Sequence, residues 1–187
     1  MSTKEIFDEV WGPRGQYRKG STCLRLIPFL KKHIPDDCII NDYGSGTGRA
    51  DVELLKYGHT INMVDISDVA LEQSARDLIG EKLTYTISPL ESLPVNFPVA
   101  DWGICINVLM TVDPLHLDKI MNEMRRTCHN VVVEVYDLPD LRLGRNMTTI
   151  KGSASFWYDA VKRYWPIAES HKSPEHIRRY ITIGRSK

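Results

Sequence analysis

The 187-residue chain has only four cysteines, Cys23, Cys38, Cys105 and Cys128, and no two stand in Cys-x-x-Cys spacing. That argues against a disulfide framework, and buried thiols in a reducing cytoplasm are the expectation. No metal site is expected either. No apolar run approaches the ~20 residues that cross a bilayer, and the opening Met-Ser-Thr-Lys-Glu-Ile-Phe-Asp-Glu carries acids where a secretory leader needs an apolar stretch. Net charge is absent as well. The 24 Lys and Arg balance the 24 Asp and Glu, so no bulk field advertises a nucleic-acid or membrane partner. Internal repeats and low-complexity tracts are missing. What remains is 42% hydrophobic and 26% charged, a soluble globular balance in a chain the length of one domain.

The neutral total is unevenly laid out. Residues 141–187 hold ten Lys and Arg against three acids, and residues 1–140 hold 14 against 21. Such a split either compensates across one folded surface or sets a basic wall beside an anionic substrate.

Short apolar runs alternate with amphipathic stretches, the pattern of βαβ units around a parallel sheet. Residues 1–20 read as a short helix and an arm. A helix over about 21–34 has Ser21 as its cap, with Pro28 either kinking it or marking a later start. Strands are expected at 38–43, 60–65, 83–87, 102–107 and 131–136. Between them come a helix at 49–57 ended by Gly58, a helix capped by Ser67, with Leu71, Ala75, Leu78 and Ile79 on one face and Gly80 at its end, and a helix opened by Asp113-Pro114. The final part differs in kind: a helix over 154–164, then strand-like runs near 166–171 and 178–184 that read as an antiparallel pair closing the sheet edge. Together these make a three-layer α/β domain, divided into a helical arm or lid (1–34), a core (35–137), and a final helix and hairpin (138–187).

The strongest local signal is Asp42-Tyr43-Gly44-Ser45-Gly46-Thr47-Gly48, directly after a strand and before a helix. Glycines there let backbone approach a ligand, and the helix start offers free N–H groups to an anionic group. Asp65 ends the next strand, where a carboxylate can hold two ribose hydroxyls. A dinucleotide site needs glycine or alanine at position 49, where Arg49 stands. Asp42 would repel a pyrophosphate but suits an ammonium.

These residues resemble the class I S-adenosylmethionine-dependent methyltransferases. The run 42–48 matches that family's acidic-x-Gly-x-Gly-x-Gly motif, Asp65 its second-strand acid, Leu90-Glu91-Ser92-Leu93-Pro94 its loop after the third strand, and 101–112 its fourth-strand motif. The resemblance covers about 35–140 and implies a Rossmann-like fold with a mostly parallel seven-stranded sheet and a C-terminal antiparallel hairpin. It implies S-adenosyl-L-methionine as cofactor and S-adenosyl-L-homocysteine as product. By the same resemblance Gly44, Ser45 and Gly46 lie against the methionine part, Asp42 supports its ammonium, Asp65 holds the ribose, Ile66 and Leu90 pack on the adenine, and Ile106 and Asn107 flank the methyl channel. Tyr17 and Arg18 on the arm close over the cofactor carboxylate. Pro89 stands where many relatives carry the acid that reads the adenine amino group, which leaves that task to Ser88, Glu91 or water.

Methyl transfer needs position and a dry channel more than a nucleophile from the protein. Tyr136 and Asp137, after the fifth strand, and His116, as a general base, are the candidates for catalysis. The chain has Ile106-Asn107-Val108-Leu109 where nucleic-acid amino-methylating enzymes carry an Asp/Asn-Pro-Pro-aromatic element, and no cysteine follows a proline, as cytosine C5 chemistry requires. A small-molecule acceptor is therefore expected, an anionic one suiting the basic final third, with RNA or protein as open alternatives. Two other functions compete: a non-catalytic cofactor-binding adaptor of the same fold, and an NAD(P)-dependent oxidoreductase.

Overall fold

The structure, a computed structural model, describes residues 1–12, 17, 23–173 and 178–186. Helix α1 (Thr3–Trp11) opens on a capping box, in which Ser2 Oγ accepts from the Glu5 N–H and the Glu5 carboxylate accepts from the Ser2 N–H. A 3-10 turn at Cys23–Leu26 leads into α2 (Ile27–His33). Pro28 therefore marks a later start, in the first turn where its missing N–H costs nothing. Ser21 lies outside the described residues.

Then follow β1 (Ile39–Tyr43), α3 (Arg49–Leu54), β2 (Thr60–Asp65), α4 (Gln73–Arg76), β3 (Leu83–Ile87), β4 (Ala100–Ile106), α5 (Leu117–Thr127) and β5 (Cys128–Tyr136). The loop after β5 folds into a two-residue-arm hairpin, β6 (Leu141–Arg142) and β7 (Arg145–Asn146), that the sequence did not announce. Helix α6 (Ala154–Tyr164) and strands β8 (Ile167–Lys172) and β9 (Arg179–Arg185) complete the described chain.

The large sheet has seven strands among the described residues, in the order β3-β2-β1-β4-β5-β9-β8. The first five are parallel, and β9 runs antiparallel to both β5 and β8. The expected closing hairpin is thus present. Chain order reverses between β1 and β4, and a reversal of this kind opens a crevice at the carboxyl ends of the strands. Asp101, at the opposite end, accepts from the Ile39 N–H at 2.9 Å and ties β4 to β1.

Both sheet faces are covered, which is why the central strands read as nearly unbroken apolar runs. One face packs Tyr43, Cys105, Val131 and Val133 against α5 and α6, with Trp157 and Trp165 fully buried there. The other packs Ile40, Ile61, Ile104 and Val132 against α2, α3 and α4.

One expected helix is corrected. Ser67 does not cap a helix reaching Gly80; α4 is a single turn beginning after Glu72. Ser67 is spent elsewhere: its hydroxyl donates to Asp8 on α1 and accepts from the Val69 N–H. Leu71 and Ala75 are buried as expected, whereas Leu78 and Ile79 are exposed.

Candidate active site

The site grows from the turn after β1. Gly44 N–H and Ser45 N–H both donate to Val64 O, at 2.8 and 3.2 Å, so the loop is stitched to β2. Gly44 has φ +81°, and a Cβ added there would meet Val108 Cγ2 at 2.4 Å. Gly46 has φ +54°, and a Cβ there would come within 3.1 Å of the Trp11 ring. The loop is therefore closed from one side by Val108 and from the other by α1, and neither position has room for a side chain.

Asp65 closes the end of β2. Its Oδ2 accepts from Gly46 N–H at 2.9 Å and its Oδ1 from Ser67 N–H at 3.0 Å. Burial pushes its carboxyl above the ordinary range, while the N–H groups of Ser67, Gly46 and Ile66 pull it back. Each oxygen keeps a further lone pair for a hydroxyl donor. Ser45 Oγ is buried with no hydrogen-bond partner in the structure. A buried polar atom left in this state points to a missing partner.

A cavity of about 360 Å³ runs from this loop across the ends of the strands. One end is lined by Gly44, Ser45, Gly46, Asp65, Ile66 and Leu90, under Phe7 and Trp11 of α1. Tyr17 meets the Trp11 ring edge-on at 5.0 Å between centroids, and the lining continues from it through Asp140, Tyr136, Arg142 and Arg179. Asn107 also lines the cavity. It is a non-glycine residue at φ +59°, its N–H donating to Glu134 O at 2.8 Å and its Oδ1 accepting from Arg179 Nη1 at 3.1 Å. Backbone held this way by surrounding bonds is characteristic of ligand sites.

At the far end Asp140 Oδ2 accepts from Tyr17 Oη at 2.6 Å and from Tyr136 Oη at 2.8 Å. Arg142 Nε stands 2.9 Å from Asp140 Oδ1. Burial first, then Asp140, hold both phenols well above their ordinary range. Glu134 is fully buried on β5, accepting from Ser173 Oγ at 2.9 Å and lying 3.5 Å from Arg179 Nη1. Its carboxyl is pushed up by burial and pulled down by Arg179 and Ser173.

Residues 41–130 match the family model described as a methyltransferase domain. This segment is a methyltransferase domain. No curated protein matches the chain. Among solved structures, the methyltransferase domain's fold is shared by 1,6-didemethyltoxoflavin-N1-methyltransferase of Burkholderia thailandensis, which holds 1,6-didemethyltoxoflavin and S-adenosylhomocysteine. The two are 14% identical, with 98% of this chain and 87% of that one covered and a TM-score of 0.77. The PH0226 protein of Pyrococcus horikoshii is 18% identical, with full coverage of both chains and a TM-score of 0.74. Magnesium protoporphyrin IX methyltransferase of Synechocystis, with S-adenosylhomocysteine bound, is 12% identical over 97% of this chain and 93% of that one, at a TM-score of 0.64.

Of the residues singled out from the sequence, Gly44, Ser45, Gly46, Asp65, Ile66, Leu90, Ile106, Asn107, Tyr17, Tyr136 and His116 all line the one cavity. Arg18 lies outside the described residues. Asp137 does not line the cavity; its N–H donates to Arg178 O at 3.0 Å. Asp42 does not line it either. It points to the α3 side of the sheet, beside the fully buried Asp51, whose two carboxyl oxygens have no hydrogen-bond partner. Burial pushes both carboxyls up, Asp51 to about 7, which favours a proton held between the two acids. His116 Nδ1 stands 3.4 Å from Glu91 Oε1 at the cavity rim. Arg49, in the position a dinucleotide site keeps for glycine, is ion-paired to Glu72 at 2.6 Å.

Several groups lining the cavity had no signal in the sequence. Asp140, Arg142 and Arg179 lie far apart in the chain, and only the loop after β5 and the insertion of β9 bring them together. Two buried acids did leave a trace. Glu134 interrupts the run Val131–Val135, and Asp51 sits beside Ala50 on the inward face of α3.

Proposed function

We propose that this methyltransferase binds S-adenosylmethionine at the glycine-loop end of the cavity and methylates a small acceptor held at the Tyr136 end. The observation that carries this reading is the cavity of about 360 Å³ whose lining joins Asp65 and the Gly44–Gly46 loop to Tyr17, Tyr136 and Asp140. Its size is that of a small-molecule pocket, and α1 covers it where a macromolecular acceptor would need an open face.

The residues present fit the cofactor. The close approach of backbone at Gly44 and the unpartnered Ser45 Oγ offer polar atoms to an amino-acid end. Asp65 offers one lone pair on each oxygen to two ribose hydroxyls, and Ile66 and Leu90 offer apolar surface to a purine. Asp42 and Asp51 act beneath the loop, so support of an ammonium by Asp42 works through the loop and not across the cavity. When bound, the cofactor supplies an electrophilic methyl on a sulfonium sulfur. The chain's own part is to align that group with the acceptor, to exclude water under Phe7 and Trp11, and to take up a proton where the acceptor has one to lose.

The acceptor end holds two arginines, and each has a carboxylate neighbour, Arg142 with Asp140 and Arg179 with Glu134. The excess of cations counted over residues 141–187 is therefore largely offset at the cavity itself. Phe7 and Trp11 of α1 support the reading of residues 1–34 as a lid on the core of 35–137, with 138–187 forming the acceptor wall. The thiols of Cys23, Cys38, Cys105 and Cys128 are all free, which suits a cytoplasmic protein. Among the described residues no helix is long and apolar enough to cross a membrane.

Calorimetric titration with S-adenosylmethionine and S-adenosylhomocysteine tests the donor half, and release of S-adenosylhomocysteine with a metabolite panel tests turnover. Heat with both ligands and turnover with a metabolite is the expected result. Heat without turnover on metabolites, RNA or protein would favour the adaptor, and no heat would end the reading.

A further inference from the structure

Asp140 is the hub of the acceptor end. It is 8% exposed, and its backbone N–H is fixed by Asn146 Oδ1 and Thr148 Oγ1 at 3.1 and 3.2 Å. Its Oδ2 takes the hydroxyl protons of Tyr17 and Tyr136, and its Oδ1 faces Arg142. A phenol has one proton to give, and an ionised carboxylate has none. With both protons committed to Asp140, the two phenol oxygens keep only lone pairs for the cavity that Tyr17, Tyr136 and Asp140 line together. Arg142 lies over the Tyr17 ring at 5.0 Å and Arg179 over the Tyr136 ring at 5.2 Å, holding both rings in place. A carboxylate acceptor would face two lone-pair oxygens backed by a third, charged one. An N–H or O–H group would face two acceptors waiting for a donor.

We propose that the methyl acceptor is an amine, ring N–H or hydroxyl nucleophile, read by the oxygens of Tyr17 and Tyr136, and that its proton leaves through Tyr136 to Asp140. This rests on the methyltransferase reading and on the acceptor occupying the Tyr136 end. As the acceptor's lone pair forms its bond to the methyl carbon, the carbon–sulfur pair stays on sulfur as a neutral thioether. The acceptor's proton moves to Tyr136 Oη while Tyr136's own proton moves to Asp140 Oδ2. Tyr136 ends as a phenol, and Asp140 ends neutral until it loses the proton to solvent. No free phenolate forms, in keeping with phenols held so far above their ordinary range. Tyr136 touches the acceptor; Asp140 is a positioning and proton-receiving residue behind it.

The test is methyl-label transfer from S-adenosylmethionine to a panel of small heteroaromatic amines, ring N–H compounds, phenols and alcohols beside matched carboxylates and thiols. Label on N–H or O–H members is expected. With the best of these, Tyr136→Phe should lower kcat at least tenfold, and Tyr17→Phe should chiefly raise KM. Asp140→Asn should lower kcat while leaving KM nearly intact; Asp140→Glu should recover part of the rate. Independently of turnover, the hydroxyl protons of Tyr17 and Tyr136 should be among the slowly exchanging resonances of labelled tyrosines. Tyr17→Phe and Tyr136→Phe should each remove one. Transfer confined to carboxylates or thiols, no transfer to any N–H or O–H member, or variants matching the parent would overturn the proposal. Calorimetry with S-adenosylhomocysteine on the same preparations separates the two levels. Binding without such transfer removes this proposal alone, whereas no binding removes the cofactor reading and this proposal with it.

Discussion

The two ends of the cavity are built in different ways. The end assigned to the donor comes from residues 44–46 and 65–66, two short segments on adjacent parallel strands, locked by Gly44 and Ser45 N–H bonds to Val64 O and by Gly46 N–H to Asp65. The part proposed for the acceptor gathers Tyr17, Asn107, Tyr136, Asp140, Arg142 and Arg179 from across the chain. One end is specified by backbone conformation that a few consecutive residues impose. The other is specified by charge pairing among side chains that only the closed sheet makes neighbours. A donor nucleoside shared across a family suits the first construction, and an acceptor particular to one protein suits the second.

The comparison can be broken at its donor end most sharply through Gly44. Gly44→Val places a branched side chain at φ +81° against Val108. Calorimetry should find no remaining cofactor binding, and urea unfolding should show a loss of roughly 1–3 kcal/mol from overpacking. Retained binding would mean that the loop is not the contact surface. Next in size, Asp65→Ala should weaken S-adenosylhomocysteine binding by ~1.5–3 kcal/mol, read by titration of a folded variant, while leaving the tyrosine–Asp140 cluster untouched. Equal affinity in the folded variant would contradict the ribose assignment.

The smallest expected effect concerns the two acids buried beneath the loop. Asp42 and Asp51 have raised carboxyl pKa values in the folded chain, Asp51 at about 7, against an ordinary value near ~3.9 unfolded. The folded state therefore holds a proton that the unfolded state has lost. The stabilisation is fully present below about pH 4 and fades as pH rises through about 7. Asp51→Asn needs no such proton. It should flatten the stability profile between about pH 5 and 8 and raise stability by on the order of 2 kcal/mol at the upper end, with cofactor affinity nearly unchanged. Parallel profiles for parent and variant would show that no shared proton exists.

What the sequence disclosed follows the same division. Strands β2 and β3 and helix α6 fall at the residues their apolar runs and caps predict, because local pattern and burial agree there. Strand β5 begins three residues early, at Cys128, since α5 passes straight into it and no turn is needed. Helix α4 is shorter than its periodicity suggests because Ser67 bonds to Asp8, a partner 59 residues away. Asp42 and Asp65 looked alike as acids ending adjacent strands, yet strand alternation and the loop's path turn one toward α3 and the other into the cavity. Glu134 was readable in principle as a charge inside a valine run. Asp140 and Arg179 were not, since no spacing predicts which loop a terminal hairpin will meet.

The insertion of β9 between β5 and β8 sets an order on how the enzyme comes into being. A chain leaving the ribosome presents β1 and β2 long before Arg179 is translated. The wall in which Arg179 meets Asn107 and Glu134 therefore forms only when the last strand slides between β5 and β8, so a chain cut short before β9 would lack it.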